Sequence, residues 1–346
     1  MHMADALLSP AVGIAMYGVS AAAAARAVKL MNSDAEEAER KLPLMAVSGA
    51  FVFAAQMINF TIPGTGSSGH ICGGILLSGL LGGGPALLAL AAVLIIQCLF
   101  FADGGLLALG ANIFNMGVIP CLIIYPLLFR PLMRRMGGKQ GFVVPAVVSC
   151  VIGLELGALC VVLETLVSGI TELPVGVFVV LMLPIHLAIG LVEGLITAAV
   201  FAAVEQTRPG LIRETAGLTA EAPGAGAAGA ADQKRSGAGS FKRTVVMLGV
   251  LAALVGGGLS LFASAYPDGL EWSIEKTTGE PEIEGGGAVR EAAAAVQEAT
   301  SFLPDYDFKS GEGTGTSASG LVGGLMTFAL AGAAGVLVTK LGRRGR

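Results

Sequence analysis

The sequence predicts an all-α integral membrane protein of about seven transmembrane helices with a two-helix C-terminal part, and three observations carry that reading. Hydrophobic residues make up 54% of the 346 positions and charged ones 13%, against about 25% charged in an ordinary soluble chain. The mean hydropathy is +0.77, and apolar stretches reach the ~20 residues that a helix needs to cross a bilayer. The 51 glycines are residues that let helices approach closely in lipid.

The first helix is predicted over residues 7–30, opened by Ser9 as N-cap and Pro10 in the first turn. Residues 21–25 resemble a signal-cleavage region, but no basic segment precedes them and Arg26 and Lys29 follow, so an uncleaved helix is expected. A second helix is predicted over 42–59. The Gly/Ser/Pro-rich connector 61–69 then leads to a third, 70–81, that is too short to cross comfortably and ends at Gly82-Gly83-Gly84-Pro85. Further helices are expected over 86–102, 106–129, 142–167 and 175–203. Residues 206–243 turn to Ala, Gly, Thr and scattered charge and read as a flexible cytoplasmic linker. Two last helices, 244–265 and 321–340, flank a polar acidic loop, giving units 1–205, 206–243 and 244–346.

Basic residues collect on the cytoplasmic side of membrane proteins. With the N-terminus outside and nine helices, 18 of the 21 Lys and Arg fall on cytoplasmic segments. The remaining three lie in the loop 266–319, where eleven acidic residues outnumber them. The C-terminus is then cytoplasmic, the acidic loop external, and the lipid bilayer the environment. A net charge of -4 suggests no nucleic-acid partner. The five cysteines form no CxxC pair and read as packing residues.

In that topology the chain start and His70 share the external face. A free Met1 followed by His2 offers one metal three nitrogens: the amine, the deprotonated His2 amide and a His2 ring nitrogen. Such an array is nearly planar, suits Ni(II) or Cu(II) better than Zn(II), and leaves a corner that His70 can fill. Asn59, Ser68, Asp103, Asn112 and Asn115 lie near the same helix ends, where they either orient the donors or serve as ordinary caps and turns. Cys72 and Met3 are read as packing in preference to sulfur ligands. His186 and Glu193, seven residues apart on one helix face, are read as satisfied interior hydrogen-bonding groups in preference to supports of the metal site.

Four stretches, MHMADALLSP (1–10), NFTIPGTGSSGHICGG (59–74), QCLFFADGGLLALGANIFNMG (97–117) and HLAIGLVEGLITA (186–198), resemble the substrate-binding S component of energy-coupling-factor (ECF) cobalt/nickel transporters of the CbiM/NikM type. The tail, with Pro267-Asp268-Gly269-Leu270-Glu271-Trp272, resembles their small two-span accessory component (CbiN/NikN), here fused. The resemblance implies binding of Ni(II) or Co(II) by Met1, His2 and His70, with the ion as transported substrate and no organic cofactor. It implies residence in the cell inner membrane and partners: two cytoplasmic ATPase subunits and a transmembrane coupling (T) protein. This chain has no GxxxxGK[ST] phosphate loop, and Gly137-Gly138-Lys139-Gln140 lacks its spacing, so a transporter subunit and not an enzyme is expected. The alternatives are a stand-alone metal-ion channel or secondary carrier and, more remotely, an intramembrane hydrolase using Ser67 or Ser68 with His70.

Overall fold

The computed structural model describes residues 1–33, 35–136, 141–170, 173–218, 227–281, 283, 285–309 and 315–344. They form an all-α membrane protein: α1 (Pro10–Ser33), α2 (Ala35–Gln56), α3 (Gly74–Leu81), α4 (Gly83–Phe101), α5 (Leu109–Arg135), α6 (Val143–Ser168) and α7 (Val175–Thr207). There follow α8 (Leu211–Thr215), α9 (Ala227–Gly257), α10 (Gly269–Thr278), α11 (Ala288–Thr300) and α12 (Thr316–Arg344).

Among the described residues, seven helical stretches are long and apolar enough to cross a membrane, lying in α1, α4, α5, α6, α7, α9 and α12. α2 is not among them, since Glu36, Glu37, Glu39, Arg40 and Lys41 occupy its first turns. Its second half is nonetheless core, with Val52 and Phe53 fully buried. The third helix expected is present and is as short as its sequence suggests. α3 has 8 residues, all of them buried, and at ~1.5 Å per residue it spans about 12 Å of a hydrocarbon layer about 30 Å thick. It is an internal plug surrounded by α2, α4, α5 and α7.

α5 carries Pro120 and Pro126 inside a π-helical stretch, Phe114–Phe129. Proline cannot donate to the preceding turn and clashes with its carbonyl, and the wider π turns accommodate both faults. Among the described residues α6 and α7 make the most extensive helix-to-helix contact. Gly190 and Gly194, one turn apart on α7, face the backbones of Val151 and Val147, so a side chain at either would meet main chain.

Two further expectations differ from the structure. The connector 61–69 is an ordered antiparallel hairpin, β1 (Phe60–Ile62) with β2 (Ser67–Gly69), in register Phe60↔Gly69. The linker expected over 206–243 is structured in its described part. α8 buries Leu211 and Ile212 completely beside α3 and α7, and α9 continues without a break into the eighth apolar stretch predicted. Residues 219–226 of that linker and Lys139 of the basic loop lie outside the described residues.

α9 and α12 pack on α2, while the loop between them folds over one end of the bundle. There α10 lies on α7 and α11 on α4. The Tyr306 ring stacks on Phe101 with centroids 5.0 Å apart. That covered end is where the chain start, the hairpin and residues 102–108 meet.

Candidate metal centre

The first residues form no long helix, so other segments must fix them. Asn112 does so by two bonds to one residue: the Met3 amide donates to its Oδ1 (2.7 Å) and its Nδ2 donates to the Met3 carbonyl (3.2 Å). The Gly105 amide also donates to Met3 O (2.9 Å), and the Ala108 amide to Asp5 Oδ1 (2.9 Å). From α11, Arg290 donates to the carbonyls of Asp5 (3.1 Å) and Leu8 (2.9 Å). Met1, only 6% exposed, is thereby held inside the bundle.

His70 follows β2 and is fixed from below. Glu193 on α7 accepts from the Cys72 amide (2.7 Å) and the Gly73 amide (3.0 Å), and Gln56 Nε2 donates to Cys72 O (2.8 Å). The His70 Nδ1–H donates to Ile71 O (3.0 Å), which leaves the Nε2 lone pair free to coordinate. The His2 and His70 rings stack, with centroids 5.2 Å apart and planes 26° from parallel.

Asp268 completes the cluster from the C-terminal part. Its Oδ1 accepts from the amides of Leu270 (2.8 Å) and Glu271 (2.9 Å), while Glu271 Oε2 accepts from the Asp268 amide (2.9 Å). This capping box starts α10. Its Oδ2 is left to accept from the Met1 ammonium and stands 3.9 Å from His70 Nε2. The rest of the motif is equally constrained. The Ser68 amide donates to Pro267 O (2.8 Å), Leu270 is 2% exposed, and Trp272 Nε1 donates to Thr65 O (3.0 Å). A Cβ on Gly269 would stand 3.1 Å from His186 Cε1 and from Ile189 Cδ1, so only glycine fits without displacement.

Charge follows from these contacts. Burial works against the Met1 ammonium, but the Asp268 carboxylate outweighs it and raises the amine above its ordinary 8.0. Burial likewise works against the Asp268 carboxylate, and the ammonium overcomes it, holding the carboxyl well below the usual range. Burial, then the nearby ammonium, lowers His70 to about 4; a neutral ring at 3.9 Å is a neighbour of Asp268 and not its ion partner. Burial also lowers His2, against the pull of Asp103. A neutral His2 donates from Nδ1 to Asp103 Oδ1 (3.2 Å) and presents Nε2 to the Gln97 side-chain amide 3.2 Å away. The Gln97 Nε2 has no acceptor as placed; turning that amide over lets its NH2 donate to the ring. Glu271 is exposed, but partial desolvation of its carboxyl, with the Asp268 carboxylate beside it, pushes it up to about 7.

The structure thus gathers Met1, His2 and His70, the three residues singled out by sequence. Among the described residues no three His, Cys, Asp or Glu side chains converge as a metal site, so any donor set at this cluster must include the main-chain amine. Of the supporting residues expected, Asn112 clamps Met3, Asp103 holds His2, and Asn115 donates to Glu164 (2.8 Å) and touches Met3 Sδ (3.8 Å). Ser68 and Asn59 do something else. Ser68 holds Tyr266 and Pro267; Asn59 gives its carbonyl to the Ser264 amide (2.7 Å), with its side-chain oxygen buried and unpartnered. Both anchor the C-terminal loop and not a donor. That Asp268 reaches Met1 is not legible in the sequence, because 267 residues separate the two; the motif Pro267 to Trp272 and the capping-box spacing of Asp268 and Glu271 mark the residue but not its partner. Above the donors a cavity of about 340 Å³ lies between residues 2–7, residues 102–105 and the C-terminal loop, with Asp5, Asp103, Asp268, Glu271 and Asp305 on its walls beside Arg290.

Residues 2–211 match the family described as CbiM, cobalt uptake substrate-specific transmembrane region, and residues 242–340 match the PDGLE domain. A putative metal transport protein of Haloquadratum walsbyi is 38% identical over 212 residues, which is 61% of this chain and 93% of that protein. The putative fused nickel transport protein NikMN of Archaeoglobus fulgidus is 34% identical over 62% of this chain and 69% of its own length. The crystal structure of a truncated transition metal transporter is 30% identical with a TM-score of 0.52, covering 60% of this chain and 99% of that one. With the first match spanning α1 to α7 and the second running from within α9 into α12, the chain belongs to the CbiM family and carries a PDGLE domain on the same polypeptide.

Proposed function

We propose that this chain captures Ni(II) or Co(II) through the Met1 amine, the His2 amide and ring, and His70, at the external face of the cell inner membrane. Residues 1–205 act as the capture unit and 244–346 as the accessory unit closing it, joined by 206–243. The observation that carries this reading is the convergence of the amine and both imidazoles, all buried, under one carboxylate. The names of the nickel and cobalt transport relatives point to the same ions.

Charge balance favours this site. With Met1, the His2 amide and Asp268 counted, the ammonium and carboxylate sum to zero. A divalent ion that displaces one proton from the ammonium and one from the amide again leaves zero beside the carboxylate. A buried site whose net charge does not change avoids the cost of an uncompensated ion. His2 Nδ1, the ring nitrogen that closes the six-membered chelate, must leave Asp103 to take part.

Import against a gradient needs an energy source, and we assign it to two cytoplasmic ATPase subunits acting through a T protein, as in ECF-type complexes. The test uses the purified full chain and Ni(II) or Co(II) binding by equilibrium titration. His2→Ala, His70→Ala and a chain with one residue added before Met1 are each expected to lose high-affinity binding while remaining folded. Retained affinity in any of the three refutes the donor set.

A further inference from the structure

A second, much smaller cavity, about 10 Å³, adjoins the donors. Met1, His70 and Asp268 contribute to its wall, and so do Cys72, Met116 and His186. That volume accepts about one water-sized particle. His186 is 1% exposed, and its Nδ1–H donates to Met182 O at 2.8 Å. A carbonyl can only accept, so the bond fixes the tautomer and leaves a lone pair on Nε2. That Nε2 is buried with no hydrogen-bond partner. Ring orientation by a backbone carbonyl, with the other nitrogen bare, is how proteins prepare a histidine to ligate a metal. The ring is also held in place, because Gly269, the residue after Asp268, lies against its Cε1.

His186 stands eleven residues into α7, about 16 Å from the helix start by the ordinary rise. It is therefore well inside the bundle, not at its rim. We infer that this cavity is a second, transient position for the captured cation, in which His186 Nε2 replaces the Met1 amine as a donor while His70 is shared by both positions. This rests on the capture reading given above. In the exchange the bonds from the metal to the amine, the amide and the His2 ring nitrogen break, the amine and the amide each take up one proton from solvent water, and a bond to His186 Nε2 forms while the His70 bond is kept. The oxidation state of the ion does not change. Among the described residues no three His, Cys, Asp or Glu side chains close around an ion, so an ion there has fewer protein donors than in the capture site. Such a position binds weakly, as a transit point should.

The experiment blocks the capture chelate and asks what is left. Co(II) is titrated into the purified full chain extended by one residue before Met1, with and without His186→Gln, and the bound ion is examined by X-ray absorption. The extended chain is expected to retain a weak Co(II) site with two imidazoles, and His186→Gln to weaken it at least about ten-fold. Equal binding with and without His186→Gln, fewer than two imidazoles, or no residual binding, as when the cavity holds a bridging water only, overturns the inference. His186→Asn, which can still donate to Met182 O, repeats the comparison if the glutamine variant does not fold. Failure of the capture reading shows separately, as an extension that leaves affinity unchanged.

Discussion

Asp268 uses its two oxygens for different purposes, one to start α10 and the other to face the Met1 ammonium. The second contact sets the proton competition that a metal meets. A metal binds the neutral amine, so affinity rises with pH until the ammonium has lost its proton. Since Asp268 holds the amine above its ordinary 8.0, the rise in the natural protein continues through and beyond pH 8. Asp268→Asn removes the stabilising charge and leaves burial, which lowers the amine, so the rise moves to lower pH. Ni(II) titrations from roughly pH 6 to roughly pH 10, bracketing the ordinary amine value, measure this; an unshifted profile would show that the amine is not the titrating donor. At neutral pH, binding to the natural protein is expected to release about two protons per ion, one from the ammonium and one from the amide. Calorimetry in buffers of differing ionisation enthalpy counts them, and release of none excludes the chelate.

At the scale of elements, the short stretch between β2 and α3 depends on a single carboxylate. Glu193 on α7 accepts both the Cys72 and Gly73 amides, so Glu193→Ala strands two buried donors at about 1–3 kcal/mol each. Glu193→Gln keeps one acceptor. Thermal stability is expected to fall in the order natural protein, Gln, Ala, with Ni(II) affinity reduced about ten-fold or more in the Ala variant through misplacement of His70; equal stability of all three contradicts the support role. This element also shows what the sequence could disclose. The candidacy of Met1, His2 and His70 is legible in the sequence because an amine, an amide and an imidazole in consecutive residues suggest a chelate without any distant partner. Glu193 and His186 were read as interior groups with satisfied hydrogen bonds. That holds for Glu193, whereas His186 keeps a bare Nε2 because its depth along α7 coincides with the depth to which the chain start and residues 70–73 descend. Helix periodicity reveals the face on which a residue lies but not how far a distant loop reaches into the bundle. For the same reason the sequence shows that α3 is short and apolar but not that it is enclosed: only its packing against the surrounding helices shows that it lies wholly inside the bundle.

At the scale of the molecule, the two ends of the bundle differ in charge. Arg130, Arg134 and Arg135 close α5, Arg208 precedes α8 and Arg213 lies within it, all at the end away from the donors. α10 and α11 cover the donor end with a segment in which carboxylates outnumber bases. Basic residues are retained on the cytoplasmic side, so the covered end is expected to face outward, where the acidic field would attract a divalent cation toward the larger cavity. Cysteine accessibility in intact cells decides the orientation. Four of the native cysteines are buried and Cys160 is half-buried, so the background is low and a single new thiol can be followed. Glu280→Cys, at an exposed position beyond α10, is expected to react with a membrane-impermeant maleimide added outside, and Arg134→Cys only after the membrane is opened. The opposite pattern would put the amine, both imidazoles and Asp268 on the cytoplasmic side, where a capture site for imported metal has no purpose, and would overturn the transport direction while leaving the geometry of the cluster intact.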